Sequence, residues 1–199
     1  MPQPPRDEKS RPYIEEGLRT FCEALRSANK EDLAHLDPAR ILFIHGAARR
    51  AARASVRPLT MGGPPPSFRH NDWEKPQIWI NGQIALYEIV LRPRYFLQAT
   101  ADERASIVAH ELWHMSPTFD GTLAPQRRHR DPRSAIADTV TDRWIAQWKT
   151  EGAEGSWVFA FRGEIRLPAW TERPPSRLAS TGRRRYTQED LHSAIVRQD

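Results

Sequence analysis

The sequence predicts an α+β fold, with an antiparallel or mixed sheet packed on a helix that carries His110-Glu111-Leu112-Trp113-His114 and on a second core helix. Three observations predict it. From Thr100 to Met115, residues Ala105, Ile107, Val108, Ala109, Leu112 and Met115 recur at helical spacing. Ser134 to Lys149 does the same with Ile136, Val140, Trp144, Ile145 and Trp148. Between Pro76 and Leu91, strand-forming Ile, Val, Trp and Tyr flank Asn81-Gly82, a pair that readily takes the positive φ of a hairpin turn.

Taken in order, residues 1–12 are proline-rich and charged and read as a disordered tail. Tyr13 to Asn29 places Ile14, Leu18, Phe21, Cys22 and Leu25 on one helical stripe. Ile41 to Ile44 reads as a short buried strand, Ala47 to Ala54 as a short helix, and Met61 to Ser67 as a Gly/Pro loop. Thr100-Ala101-Asp102-Glu103 is a capping box that starts the motif helix, and Pro117 forbids its continuation. Ser156 to Ala169 reads as a second hairpin, Trp157–Phe161 and Glu164–Pro168 around Arg162-Gly163. The expected organisation is one domain over 13–170. A basic, polar C-terminal extension over 171–199 follows, with a short helix from Thr187 boxed by Asp190.

A chain of 199 residues is long enough to bury one substantial core. Its hydrophobic content of 39% and mean hydropathy of −0.70 fit a soluble protein, and no apolar run approaches the ~20 residues that span a bilayer. The N-terminus lacks a signal-peptide core, so a cytoplasmic location and no membrane partner are expected. Cys22 is the single cysteine, which excludes an intrachain disulfide and a thiolate metal site.

His110-Glu111-Leu112-Trp113-His114 is an H-E-x-x-H motif. On a helix of 3.6 residues per turn, histidines four apart share a face, and both ring nitrogens can reach one Zn²⁺ at about 2.0–2.1 Å. Glu111 lies beside that face, where it can hold the attacking water without ligating the metal. Catalytic zinc usually has a third protein ligand. A loop containing Asp120-Gly121 can bring His129 back as that ligand; Asp120, Asp131, Asp138 and Asp142 are its rivals. Asp138 and Asp142, one turn apart, also suit orienting a ligand histidine through its second ring nitrogen. No Gly stands three residues after His114, so the close spacing of the long metzincin motif is absent.

The run His110-Glu-Leu-Trp-His-Met-Ser-Pro-Thr-Phe-Asp-Gly-Thr-Leu-Ala-Pro, ending at His129, resembles the signature of a family of phage, bacterial and archaeal zincin-like metallopeptidases. In them an H-E-L-x-H helix is followed by P-x-T-F-x-G-x-L and a further histidine. The resemblance covers about Ile41 to Lys149 and implies a small zincin-like domain. It implies His110, His114 and His129 as ligands of one Zn²⁺ and Glu111 as catalytic base. The chain departs from the pattern by the longer link Ala124-Pro125-Gln126-Arg127-Arg128 before His129.

The expected reaction is peptide-bond hydrolysis by a zinc-activated water with Glu111 as general base, on a peptide or protein substrate. Backbone pairing of the substrate with a sheet edge near the metal is the expected mode of recognition. Tyr87, Tyr95 and Arg127 are candidates for stabilising the oxyanion, with Tyr95 also suited to the core. A second reading is a zinc-containing, nucleic-acid-associated protein, similar to SprT-like proteases that act on DNA-bound proteins, or a binding protein without catalysis. It rests on a net charge of +5, a pI of about 9.8 and arginine clusters at 49-50-53, 127-128-130 and 183-184-185. No recognised nucleic-acid-binding motif accompanies the clusters.

Overall fold

The computed structural model describes residues 11–49, 52–61, 68–70, 73–125, 134–175 and 182–199. The chain begins with α1 (Glu15–Ala28), α2 (Lys30–Leu33), β1 (Ile41–His45) and β2 (Ala54–Pro58). Five short strands follow: β3 (Arg69–His70), β4 (Trp73–Glu74), β5 (Gln77–Ile80), β6 (Gln83–Ile84) and β7 (Tyr87–Leu91). Then come α3 (Pro93–Gln98), α4 (Ala101–Trp113), α5 (Ser134–Thr150) and α6 (Trp157–Ala160). The chain closes with β8 (Gly163–Trp170), β9 (Arg185–Thr187) and β10 (Leu191–Gln198). The fold is α+β, with small mixed sheets and six α-helices among the described residues.

The central sheet has the order β1-β7-β2, parallel on one side of β7 and antiparallel on the other. Strand side chains alternate faces, and the two faces meet different cores. Ile41, Phe43, Tyr87, Ile89 and Leu91 join the main core with α1, α4 and α5. Leu42, Ile44 and Val90 join a smaller core with Ile78, Ile80, Trp170 and Tyr186. All five residues of β7 are therefore buried, as a strand covered on both faces must be. On α1 the stripe Leu18, Phe21, Cys22 and Leu25 is fully buried, and the Phe21 ring meets Trp148 and Phe159 edge-on at 4.9 and 4.8 Å.

One charge is sealed between the layers. Glu88 sits on β7 facing the smaller core. Its carboxylate accepts from Trp170 Nε1 at 2.7 Å and from Arg173 Nη2 at 2.8 Å, with Arg57 Nη1 at 3.6 Å. A buried carboxylate is tolerable only with such partners.

Several expected elements form as read: the helices at α1, α4 and α5, the strand at β1, and the β5–β6 hairpin around Asn81 (φ 50°) and Gly82 (φ 78°). Others do not. The stretch expected as a helix near Ala47–Ala54 shows no helix among its described residues, and from Ala54 it runs as β2, because pairing with β7 satisfies its backbone. Trp157–Ala160 is the helix α6, not the first arm of a hairpin. The strand after it, β8, pairs over eight residues with β10. The C-terminal segment is thus no extension beyond the domain. β10 completes a sheet, Val196 and Gln198 are buried, and Gln198 Nε2 donates to the Val158 and Phe161 carbonyls. Thr187 and Asp190 do form a capping box, but on a single 3-10 turn, Gln188–Asp190, that leads straight into β10. The expected tail lies outside the described residues up to 10, whereas the Arg11 and Pro12 carbonyls accept from Arg166 on β8. Most of the expected loop from Met61 to Ser67 is likewise outside them.

Candidate metal centre

The motif helix is fixed at its start by the capping box read from the sequence. Glu103 N–H donates to Thr100 Oγ1 at 3.3 Å, and Thr100 N–H donates to Glu103 Oε2 at 2.7 Å. Its other end stops at Trp113, but His114, the C-cap, keeps helical angles (φ −72°, ψ −17°). The i, i+4 relation therefore holds through the second histidine. His110 Nε2 and His114 Nε2 stand 3.1 Å apart. Two nitrogens bound tetrahedrally to one zinc at about 2.0–2.1 Å are about 3.3–3.4 Å apart, so the pair fits a shared ion. Such an approach also suits an N–H···N hydrogen bond between two neutral imidazoles, which needs one protonated and one bare nitrogen. His114 is buried and His110 half-buried.

Glu111 is 7% exposed. Its Oε2 accepts from the backbone N–H of Val56 at 2.7 Å. Arg92 N–H donates to the Arg53 carbonyl and Leu59 N–H to the Leu86 carbonyl, on either side of the β2–β7 pairing, so the alternate amide of Val56 points off the edge of the sheet, towards α4. Burial pushes the Glu111 carboxyl up to about 7, while the Val56 N–H and the Arg92 guanidinium hold it from rising further. Arg92 is itself fixed by the Ala47 carbonyl and Ser55 Oγ.

The chain after His114 closes a compact loop. Met115 bridges Leu123, and Ala124 N–H donates to the His114 carbonyl at 3.0 Å, so the strand leaving the loop runs beside the second histidine. Tyr87 Oη organises the loop from beneath. It accepts from the N–H groups of Ser116 (3.3 Å) and Gly121 (3.1 Å) and donates to the Thr122 carbonyl (2.8 Å). Gly121 has φ +84° and lies so close to Thr60 that a Cβ there would collide with it.

The expected residues fare differently. His110, Glu111 and His114 come together on α4. His129 and Asp131 lie outside the described residues, as do Arg127 and Arg128. Asp120 is engaged in its own turn, where its Oδ1 accepts from Thr122 N–H and Oγ1. Asp138 Oδ1 approaches Nδ1 of His110, the nitrogen facing away from His114, at 3.9 Å. That is the place of an orienting carboxylate, beyond hydrogen-bond range. Among the described residues, no three His, Cys, Asp or Glu side chains form a group that could hold a metal. Tyr87 has one hydroxyl hydrogen, given to Thr122, so it is not an oxyanion donor in this arrangement; burial pushes its pKa up to about 12. Tyr95 packs in the core.

Sequence reasoning missed Val56 and Arg92, the two groups that act on Glu111. Their part depends on the pairing of β2 with β7, and no local signal encodes it. A cavity of about 770 Å³ opens beside the motif, between β2, α4 and α5, and both His110 and Glu111 line it. Among the described residues, no helix is long and apolar enough to cross a membrane. Comparisons of the chain with models of protein families, with curated proteins and with solved structures found no match.

Proposed function

We propose that the chain is a zinc-dependent peptidase of zincin-like type. The observation that carries the reading is the 3.1 Å approach of two histidine Nε2 atoms beside a buried glutamate at a cavity wall. The resemblance of the H-E-L-x-H run, and of Pro117-Thr118-Phe119-Asp120-Gly121-Thr122-Leu123 after it, to zincin-like metallopeptidases supports it. His110 and His114 would hold the ion, with His129 as the third ligand. Zinc, when bound, supplies Lewis acidity for a carbonyl and for water.

The chain's own residues divide the remaining work. Glu111 keeps Oε2 on the Val56 amide, which leaves Oε1 to take the proton of the attacking water and return it to the leaving amine. A carboxyl near 7 can do both at neutral pH, and a cation on the histidines would draw its pKa down. Asp138 stands on the Nδ1 side of His110 at 3.9 Å, where a closer approach would bias the ring to present Nε2. β2 is an edge strand of its sheet, and its Ala54 end is where an extended peptide can pair.

The test is elemental analysis with an activity assay on a general peptide substrate. The expected result is about one zinc per chain in the wild type, lost in His110→Ala. Glu111→Gln should retain the metal and lower kcat about 10²–10⁴-fold. A wild type that takes up no zinc when supplied with it would refute the reading.

Nucleic-acid association, the second reading, has one observation in its favour. The Arg185 guanidinium sits 4.6 Å from the ring centroid of half-buried Trp79, the kind of cation–aromatic pair on which a base can stack. Binding of single-stranded DNA that weakens steeply with salt would favour it.

A further inference from the structure

We propose that the cleft between β2, α4 and α5 selects peptides with a lysine or arginine beside the scissile bond, held by Asp138 and Asp142. The inference rests on the peptidase reading and names its substrate class.

Among the described residues, the cavity that reaches His110 and Glu111 is lined by five carboxyl side chains, Asp102, Glu103, Glu111, Asp138 and Asp142, against one guanidinium, Arg53. The chain as a whole carries +5, so this lining opposes the sign of the molecule. Two of the five are compensated: Lys149 Nζ lies 2.8 Å from Asp102, and Arg53 Nη1 3.2 Å from Glu103. Asp138 and Asp142 have no lysine or arginine partner among the described residues. Among the described residues, the Asp138 carboxylate has one ion-pair approach, to His110 Nδ1 at 3.9 Å. One helical turn apart on α5, these two carboxylates are spaced to take one ammonium or guanidinium between them.

A second observation points to a ligand in the cavity. Glu111 is more than nine-tenths buried, lines the cavity, and uses only Oε2 within the fold; Oε1 has no hydrogen-bond partner among the described residues. The cavity also takes in Ala52, Arg53 and Ala54 from the start of β2. Further along, the edge is closed to a peptide. The Val56 amide is committed to Glu111, Pro58 has no N–H, and Lys75 Nζ occupies the Pro58 carbonyl. A substrate strand therefore has the Ala54 end of β2 to pair with, directly across the cavity from α5. Its side chain turned to α5 meets Asp138 and Asp142.

The test uses the full chain, stripped of metal by chelation, and two fluorescent decapeptides of equal length, one bearing arginine and one glutamate at the central position. Anisotropy titration at about 20 mM salt should show the arginine peptide binding about fivefold more tightly, as two exposed ion pairs permit. The gap should close near 300 mM salt. Asp138→Asn/Asp142→Asn should abolish the preference, and Asp142→Lys, on an exposed helix face, should reverse it. Equal affinities in the wild type, or a preference that survives both variants, would overturn the proposal. Zinc-loaded protein that cleaves both peptides alike removes the selectivity and leaves the peptidase reading intact. Selective binding by a chain that never takes up zinc supports the cleft and removes the chemistry.

Discussion

At the scale of single residues, Glu111 couples the candidate site to stability. Its carboxyl is raised by burial to about 7, whereas in an unfolded chain it titrates near 4.5. Between those values the native state binds more protons than the unfolded one, so stability falls as pH rises through this window. The loss amounts to about 3 kcal/mol at most in metal-free protein. Urea unfolding after chelation should show the wild type weakening between pH 5 and pH 8. Glu111→Gln, which cannot ionise, should lack that component and be the more stable of the two at pH 8. An identical pH dependence in both would show that Glu111 is not held neutral by the fold. The residue read for chemistry is thus also a cost carried by the core.

Among the elements, α4 was the most legible because its signals are local. The capping box needs four consecutive residues, and the histidine pair needs only the helical repeat, so both survive any tertiary arrangement. Thr100→Ala should cost about 1 kcal/mol in thermal or denaturant unfolding, since it strands the Glu103 amide at the helix start. A cost near zero would mean that tertiary packing alone sets where α4 begins. The misread elements share the opposite property. Trp157–Phe161 is an aromatic, β-branched run whose periodicity does not distinguish a strand from a buried turn of helix. In β10 the inward position 198 is a glutamine, which breaks the apolar alternation but satisfies the Val158 and Phe161 carbonyls around α6. The alanine- and arginine-rich stretch from Ala47 to Ala54 gives no sign of the strand that starts at its end, and only pairing with β7 makes Ala54–Pro58 a strand. The same dependence hid Val56, so His110, Glu111 and His114 were legible in the sequence but the amide that holds Glu111 was not.

Over the whole molecule, Glu88 is the point where the layers are tied. It joins β7 to Arg57 of β2, to Trp170 at the end of β8 and to Arg173 beyond it. Removing it leaves the buried Arg57 guanidinium, already shifted towards neutrality by burial, without its nearest carboxylate, and leaves the Trp170 N–H unbonded. Glu88→Ala should therefore cost roughly 3–5 kcal/mol in urea unfolding. A cost below about 1 kcal/mol would show that Arg57 and Trp170 find other partners. Such a loss would threaten a domain whose total stability is typically only about 5–15 kcal/mol. The site on α4 would then fail through unfolding rather than through chemistry, which a metal-affinity measurement at low temperature would separate.

Cys22 gives the fold a clock of its own. The thiol is sealed among Leu18, Phe21 and Leu25 on α1, and burial pushes its pKa up to about 12, so the closed molecule offers an alkylating reagent neither access nor thiolate. Modification must wait for the core to open, and as the chain's single sulfhydryl it reports each opening without ambiguity of site. The labelling half-life with and without added zinc would then show, in one number, whether an ion taken up by the protein slows the breathing of α1.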